Sequence, residues 1–291
     1  MKTKVLTGFF IFLGIVAMVA SRLITPYIFD ACFVIISAFA SYEIAKCLNL
    51  KEKNTFKIAS FIYPFLIYAV FLVAFLNNFS WWWIAVFEIW LFVFAFIVLF
   101  FISLAQKKKF SSVLWTLFSF IYPGYLLMFF YLVNHSAQLF RLSVDVGLLG
   151  CVLVLGISPI VDSAAMFTGM LLKGPKIWPQ ASPKKTISGF FGGLVFGTLA
   201  GMIIFWIFNS ANVFNSLFVL SKCSVWQFAL IGFVGACLTQ LGDLIESLFK
   251  RKTGVKDTGD VFPGHGGFMD RVDGWCFNVV AVYFFLFILF L

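Results

Sequence analysis

The sequence predicts an all-α, polytopic integral membrane protein with about nine transmembrane helices and a cytoplasmic N-terminus. Three observations lead there. The chain of 291 residues is 62% hydrophobic and only 11% charged, whereas a soluble domain carries about 25% charged residues. Its apolar runs are long and continuous rather than alternating. In lipid only a helix or a closed barrel satisfies its own backbone, and continuous runs select the helix. Finally, nearly all the basic residues fall in every second connection, the asymmetry that orients membrane proteins.

The first run, 4–20, follows Lys2 and Lys4. The small-x-small pattern of a cleaved leader is weak, because Met18 and Ala20 would fill its key positions, so the run is read as a retained helix. The second run, 25–48, carries Asp30 and Glu43, and the fourth, 80–104, carries Glu88. Carboxylates within membrane helices are costly and face the protein interior. Pairing with a neighbouring helix explains these three as well as catalysis does. The third and fifth runs, 57–76 and 111–133, are almost uniformly apolar, and the sixth, 146–172, ends in a polar stretch with Asp162 and Ser163. The seventh, 187–208, spaces Gly189, Gly193, Gly197 and Gly201 four apart. Such a stripe allows close helix packing, within one subunit or between the two of a homodimer. The eighth and ninth, 224–249 and 270–291, enclose the most polar part of the chain. By content the chain divides into N-terminal helices, 1–145, and a C-terminal region, 146–291, that holds the polar motifs.

Of the 21 Lys and Arg residues, all but Arg22, Arg141 and Lys222 lie at the N-terminus or near even-numbered connections. The positive-inside rule places these in the cytoplasm, together with the two polar stretches 162–193 and 243–273. A net charge of +9 distributed over short loops serves topology and anionic headgroups rather than nucleic acid. The six cysteines form no CxxC pair and lie mostly in apolar runs, as small hydrophobes.

The stretch from Gly242 to Asp273 concentrates the chemistry. Asp243, Glu246 and Ser247 stand at i, i+3 and i+4, on one helix face. Asp270 and Asp273 repeat that spacing at the start of the ninth helix. Carboxylates gathered at one membrane boundary repel one another unless a cation lies between them, and a hard divalent ion such as Mg²⁺ takes oxygen ligands. Between the helices a loop is expected to hold Lys250, Arg251, Lys252 and Lys256, followed by Pro263-Gly264-His265-Gly266-Gly267. Clustered cations suit polyphosphate. Loop amides and the following helix N-terminus are expected to cradle an anion, with phosphate bridged by metal favoured over bare phosphate.

The run from Ser247 through Lys250-Arg251, Lys256-Asp257, Gly259 and Phe262-Pro263-Gly264-His265-Gly266-Gly267 to Asp270-Arg271 and Asp273 resembles the signature of the phosphatidate cytidylyltransferase (CDP-diacylglycerol synthase) family. Upstream, Asp162-Ser163-Ala164-Ala165, Gly169, Ser182-Pro183-Lys184-Lys185-Thr186 and Gly189 are similar to its middle motif. Met170 stands where the family often has Arg, and Ser188 where it often has Glu, so neither position is given a charged role.

The resemblance implies an enzyme of phospholipid biosynthesis that converts CTP and phosphatidate to CDP-diacylglycerol and diphosphate. It implies Mg²⁺, alone or with a second metal ion, on Asp243, Asp270 and Asp273, with Glu246 as a further candidate ligand. Lys256, Asp257 and His265 complete the catalytic candidates, although His265 reads equally as a structural hydrogen-bonding residue of a tight loop. Ser182, Lys184, Lys185, Thr186, Lys250, Arg251, Gly264, Gly266, Gly267 and Arg271 are the substrate-binding candidates. The expected partners are CTP, phosphatidate and membrane lipids, without nucleic acid. The expected location is a bacterial inner membrane, with the site facing the cytoplasm. Two other readings stay open: a CTP-dependent kinase or cytidylyltransferase acting on an isoprenoid lipid, and a transporter, in which polar helix residues and a glycine-rich re-entrant loop are also expected.

Overall fold

The computed structural model describes residues 2–51, 53–142, 145–180, 182–210 and 223–290, with side chains from residue 6 onward. Lys222 and the side chains of Lys2 and Lys4, counted above in the charge pattern, lie outside the described residues. The helices are α1 (Lys2–Ser21), α2 (Pro26–Asn49), α3 (Lys57–Leu76), α4 (Trp81–Ala105), α5 (Phe110–Ser119), α6 (Leu126–Asn134), the single turn α7 (Ser136–Leu139), α8 (Val146–Leu172), α9 (Ile187–Ser210), α10 (Val225–Thr253) and α11 (Met269–Phe290). Among the described residues there is no strand, only the isolated bridges Lys176 to Thr186 and Phe262 to Gly266. The protein is an all-α polytopic integral membrane protein.

Eight spans are long and apolar enough to cross a bilayer, and they coincide with the second to ninth expected runs. The first run also forms a helix, but its apolar described part is the shorter stretch Leu6–Ser21. Two elements differ from expectation. The fifth run is not one continuous helix: a π turn, Phe120–Tyr125, separates α5 from α6, and Tyr122 leaves helical geometry at φ −116°, ψ 107°. Pro123 is the cause, since it lacks an N–H and pushes the preceding residue into the extended region. The eighth run continues to Thr253, so Lys250, Arg251 and Lys252 form the last helical turn rather than a loop. Gly254, left-handed at φ +79°, ends the helix there. Cations in a last turn complement the negative end of the helix dipole.

α9 packs between α8 and α10, and α11 lies against α10, α6 and α8. The glycine stripe makes this possible. A Cβ at Gly189 would meet the Ala165 carbonyl of α8, and one at Gly201 the Phe228 carbonyl of α10. The stripe therefore serves packing within the chain. At the far end of the bundle a polar clasp, buried at Arg22, Asn134, His135 and Asp30 and exposed at Asp145, joins α1, α2, α6 and α8. Arg22 donates to Asp145 at 2.5 and 2.6 Å and to the Asn134 side chain at 2.5 Å. Asn134 and His135 in turn meet Asp30, each at 2.7 Å. Asp30 thus pairs between helices. Both carboxylate oxygens of Glu88 are buried with no hydrogen-bond partner among the described residues. Cys32, Cys47, Cys151, Cys237 and Cys276 are free thiols.

Candidate active site

The antiparallel meeting of α10 and α11 places three carboxylates together. Oxygens of Asp243, Glu246 and Asp273 lie within 4.8 Å of one another. The i, i+3 spacing on α10 aims Asp243 and Glu246 the same way, and Gly242 lets α11 approach: a Cβ there would strike the Asp273 carbonyl. Ser247 donates to Asp243 at 3.4 Å. Glu246 is 1% exposed, and its Oε1 has no hydrogen-bond partner among the described residues. Its counter-charge is Lys250, one turn on. Converging carboxylate oxygens at this spacing fit a hard divalent cation such as Mg²⁺, which takes oxygen ligands and keeps further positions for water or phosphate.

Asp270, the other expected ligand, is differently engaged. Its Oδ1 accepts from Lys250 at 2.8 Å. Its Oδ2 accepts from the Thr258 amide and hydroxyl, both at 2.9 Å, and from the Gly267 amide at 2.8 Å. Asp270 therefore orders the loop and neutralises Lys250 in this arrangement. Glu246, the further candidate, takes its place among the converging oxygens.

The loop between α10 and α11 also differs from an open anion cradle. The Gly267 amide is bonded to Asp270, and the amides of Phe268 and Met269, at the N-terminus of α11, donate to Glu43 of α2 at 3.1 and 2.9 Å. Those donors are not free for phosphate. Gly264 and Gly266, at φ +75° and +80°, shape the turn. Glycine suits these angles because a Cβ would be strained there. The His265 amide donates to the Phe262 carbonyl at 2.8 Å, and its ring lies beside Gly8 of α1, with Nδ1 buried and without a hydrogen-bond partner among the described residues. The buried Arg271 Nε likewise has no partner among the described residues.

The middle motif folds toward the acids. Residues 173–180 and 182–186 double back between α8 and α9, held by the Ile177 amide on the Lys185 carbonyl and the Ile187 amide on the Pro175 carbonyl. Lys185 reaches Asp243 at 2.6 Å. Thr186 is mainly a helix cap, accepting from the Gly189 amide at 3.1 Å. The Ser182 carbonyl accepts from the Lys185 amide at 3.3 Å. Two cavities flank Lys184. The larger, about 780 Å³, is lined by Asp162, Lys185 and Asp243 and by the apolar side chains of Met166, Met170 and Phe190. The smaller, about 490 Å³, is bounded by Lys256, Asp257, Asp260, Phe262 and Gly264. Arg251, exposed on the last turn of α10, is not among the residues lining either cavity.

The sequence model of the cytidylyltransferase family matches residues 2–289. The chain belongs to this family. A phosphatidate cytidylyltransferase of Staphylococcus epidermidis is 34% identical over 184 residues, 63% of this chain and 63% of that protein. Phosphatidate cytidylyltransferases of Staphylococcus aureus (strain COL) and Staphylococcus haemolyticus are 33% identical over 184 residues and 38% over 118. The chain thus matches less than two thirds of the length of these curated relatives. Membership of the cytidylyltransferase family accounts for the density of lysine, aspartate and glycine at one end of the bundle, which membrane crossing alone does not require.

Proposed function

We propose that this protein is a phosphatidate cytidylyltransferase, a metal-dependent nucleotidyltransferase that forms CDP-diacylglycerol and diphosphate from CTP and phosphatidate. The observation that carries this reading is the meeting of Asp243, Glu246 and Asp273, with Lys185 on Asp243, next to a cavity that Asp243 lines together with apolar side chains. Supporting it are the family membership and the names of the curated relatives.

The reaction forms one P–O bond, from a phosphatidate oxygen to the α-phosphorus of CTP. It breaks another, and diphosphate leaves with the electron pair. The nucleophile is already an anion, so the demand on the protein is positioning and charge compensation rather than a strong base. Lys184, Lys185 and Lys256 supply positive charge around the two cavities, and Arg271 is assigned the same role from α11. The apolar walls at Met166, Met170 and Phe190 suit the glycerolipid, and the polar smaller cavity suits the nucleotide. Asp243, Glu246 and Asp273 would hold Mg²⁺, with Asp270 holding the loop; when bound, Mg²⁺ orients phosphates and neutralises their oxygens. Asp257, which lines the smaller cavity, is assigned to contact with substrate or leaving oxygen, and His265, whose ring lies beside Gly8, is kept as a second candidate for that role. In this reading the N-terminus and the site face the cytoplasm of a bacterial inner membrane, where CTP is dissolved and phosphatidate presents its headgroup.

The test is purified protein in detergent with CTP, phosphatidate and Mg²⁺, followed for CDP-diacylglycerol and diphosphate, with EDTA and Asp273→Asn as controls. Product that requires Mg²⁺ and is lost in the variant supports the reading. Turnover of CTP only with a polyprenyl acceptor overturns the substrate, and no turnover with any acceptor by folded protein overturns the activity.

A further inference from the structure

We propose that Glu43, on α2 and outside both sequence motifs, is the positioning residue that sets the geometry of the acid cluster. The inference rests on reading that cluster as the cation site of the proposed activity. Glu43 is 4% exposed. One of its oxygens accepts the Phe268 amide at 3.1 Å; the other accepts the Met269 amide at 2.9 Å and lies 3.2 Å from the Thr258 hydroxyl. One turn along α2, the Cys47 thiol donates to the Thr258 carbonyl at 3.5 Å. Glu43 thus holds both ends of the loop that joins α10, bearing Asp243 and Glu246, to α11, bearing Asp273.

The contacts continue toward the acids. Thr258 donates to Asp270, and Asp270 accepts from Lys250, which pairs with Glu246. Two glycines of the loop are explained by the same carboxylate: a Cβ at Gly259 or Gly267 would collide with it. A carboxylate at the first amides of α11 also complements the positive end of that helix. Without it, α11 loses its fixed start, and Asp273 loses its register against α10. Outer partners of this kind typically change metal affinity or activity by 10–100-fold.

The substitution Glu43→Gln keeps the shape but turns an N–H group toward an amide donor. The probe is Mn²⁺, with binding to the purified full chain read by electron paramagnetic resonance without substrate. Hydrogen exchange over residues 258–269 and the Mg²⁺ dependence of CTP turnover are read alongside. Glu88→Gln, a buried carboxylate elsewhere in the bundle, controls for general destabilisation. The expected result for Glu43→Gln is Mn²⁺ affinity lower by about 10-fold or more, faster exchange confined to that loop, and a matching rise in half-saturating Mg²⁺; Glu88→Gln leaves all three unchanged. If Glu43→Gln does not fold, Thr258→Val, which removes the hydroxyl next to both carboxylates, must shift Mn²⁺ affinity in the same direction. Unchanged Mn²⁺ affinity in the folded variant, or a wild-type protein that binds no Mn²⁺, overturns the proposal. Mn²⁺ binding without CTP turnover in the wild type would overturn the proposed function alone.

Discussion

Lys250 is the cation on which the buried acids depend, and replacing it with methionine tests that dependence. Its ammonium pairs with Glu246 and lies 2.8 Å from Asp270, and those two side chains are 1% and 4% exposed. Methionine preserves the length and apolar stem while leaving two buried carboxylates without their counter-charge. Removing one member of a buried pair costs about 3–5 kcal/mol. The low end applies here, because Asp270 keeps its donors from Thr258 and Gly267. At roughly 2 °C per kcal/mol for a chain of this size, a loss of about 3 kcal/mol lowers the melting temperature by roughly 6 °C in EDTA. Added Mg²⁺ has the opposite bias. The cluster of the variant carries one more uncompensated negative charge, so the rise in melting temperature on adding Mg²⁺ is larger than in the wild type. Lys250→Met combined with Glu246→Gln recovers part of the loss, since groups in contact couple by about 0.5–3 kcal/mol. Intrinsic tryptophan fluorescence during heating, in detergent with EDTA or Mg²⁺, reads all three proteins. A Lys250→Met protein that melts with the wild type in EDTA, or responds to Mg²⁺ identically, refutes the role of Lys250 as the counter-charge.

The clasp at the other end of the bundle predicts a pH dependence. Burial by itself raises the Asp145 carboxyl, but hydrogen bonds and charge from Arg22, with the Gly147 amide, bring it below the usual carboxylate range. A depressed value in the folded state means that this stabilisation is complete above about pH 4, near the unfolded aspartate value, and is lost as pH falls through the folded value. Asp145→Asn should therefore lower the melting temperature at neutral pH and flatten its fall below about pH 4, as measured by a pH series of melting curves. In α9, Gly201→Val sets a Cβ against the Phe228 carbonyl. Backbone cannot yield as a side chain does, so a cost of about 1–3 kcal/mol is expected, seen as a lower melting temperature in detergent; a wild-type value would contradict the packing argument.

Most of the fold was legible in the sequence because lipid removes ambiguity. A long apolar run has one way to satisfy its backbone, and eight such runs appear where the hydropathy places them. The departures were also written locally. Pro123 announces the break in the fifth run, and Gly254 after three cations announces that the eighth helix extends to them. Both signals were present but subordinate to an averaged hydropathy that weighs neither a missing N–H nor a left-handed stop. The purpose of the glycine stripe was legible as close packing, whereas its partner helices, α8 and α10, depend on the tertiary arrangement.

The division of labour among the carboxylates was not legible, for a related reason. Asp270 and Asp273 are three apart on one helix and look equivalent in sequence. They differ in the donors that reach them: Asp270 is engaged by Lys250, Thr258 and Gly267, brought to it by the loop fold. A hard cation needs oxygens that are not already satisfied: both oxygens of Asp270 are taken, which turns it toward the loop, whereas Glu246 meets Lys250 on one oxygen only and keeps the other to face Asp243 and Asp273. Spacing can put groups on one helix face, but it cannot count the donors arriving from elsewhere. Glu43 makes the same point from the opposite direction. It lies in a mainly apolar helix, more than two hundred residues before its partners, and its one sequence signal is the expense of a carboxylate at that depth. Such a charge calls for a partner, and here the partners are backbone amides. No pairing of charges along the sequence would have found them, because amides are present at every residue and only the fold selects which ones point at Glu43.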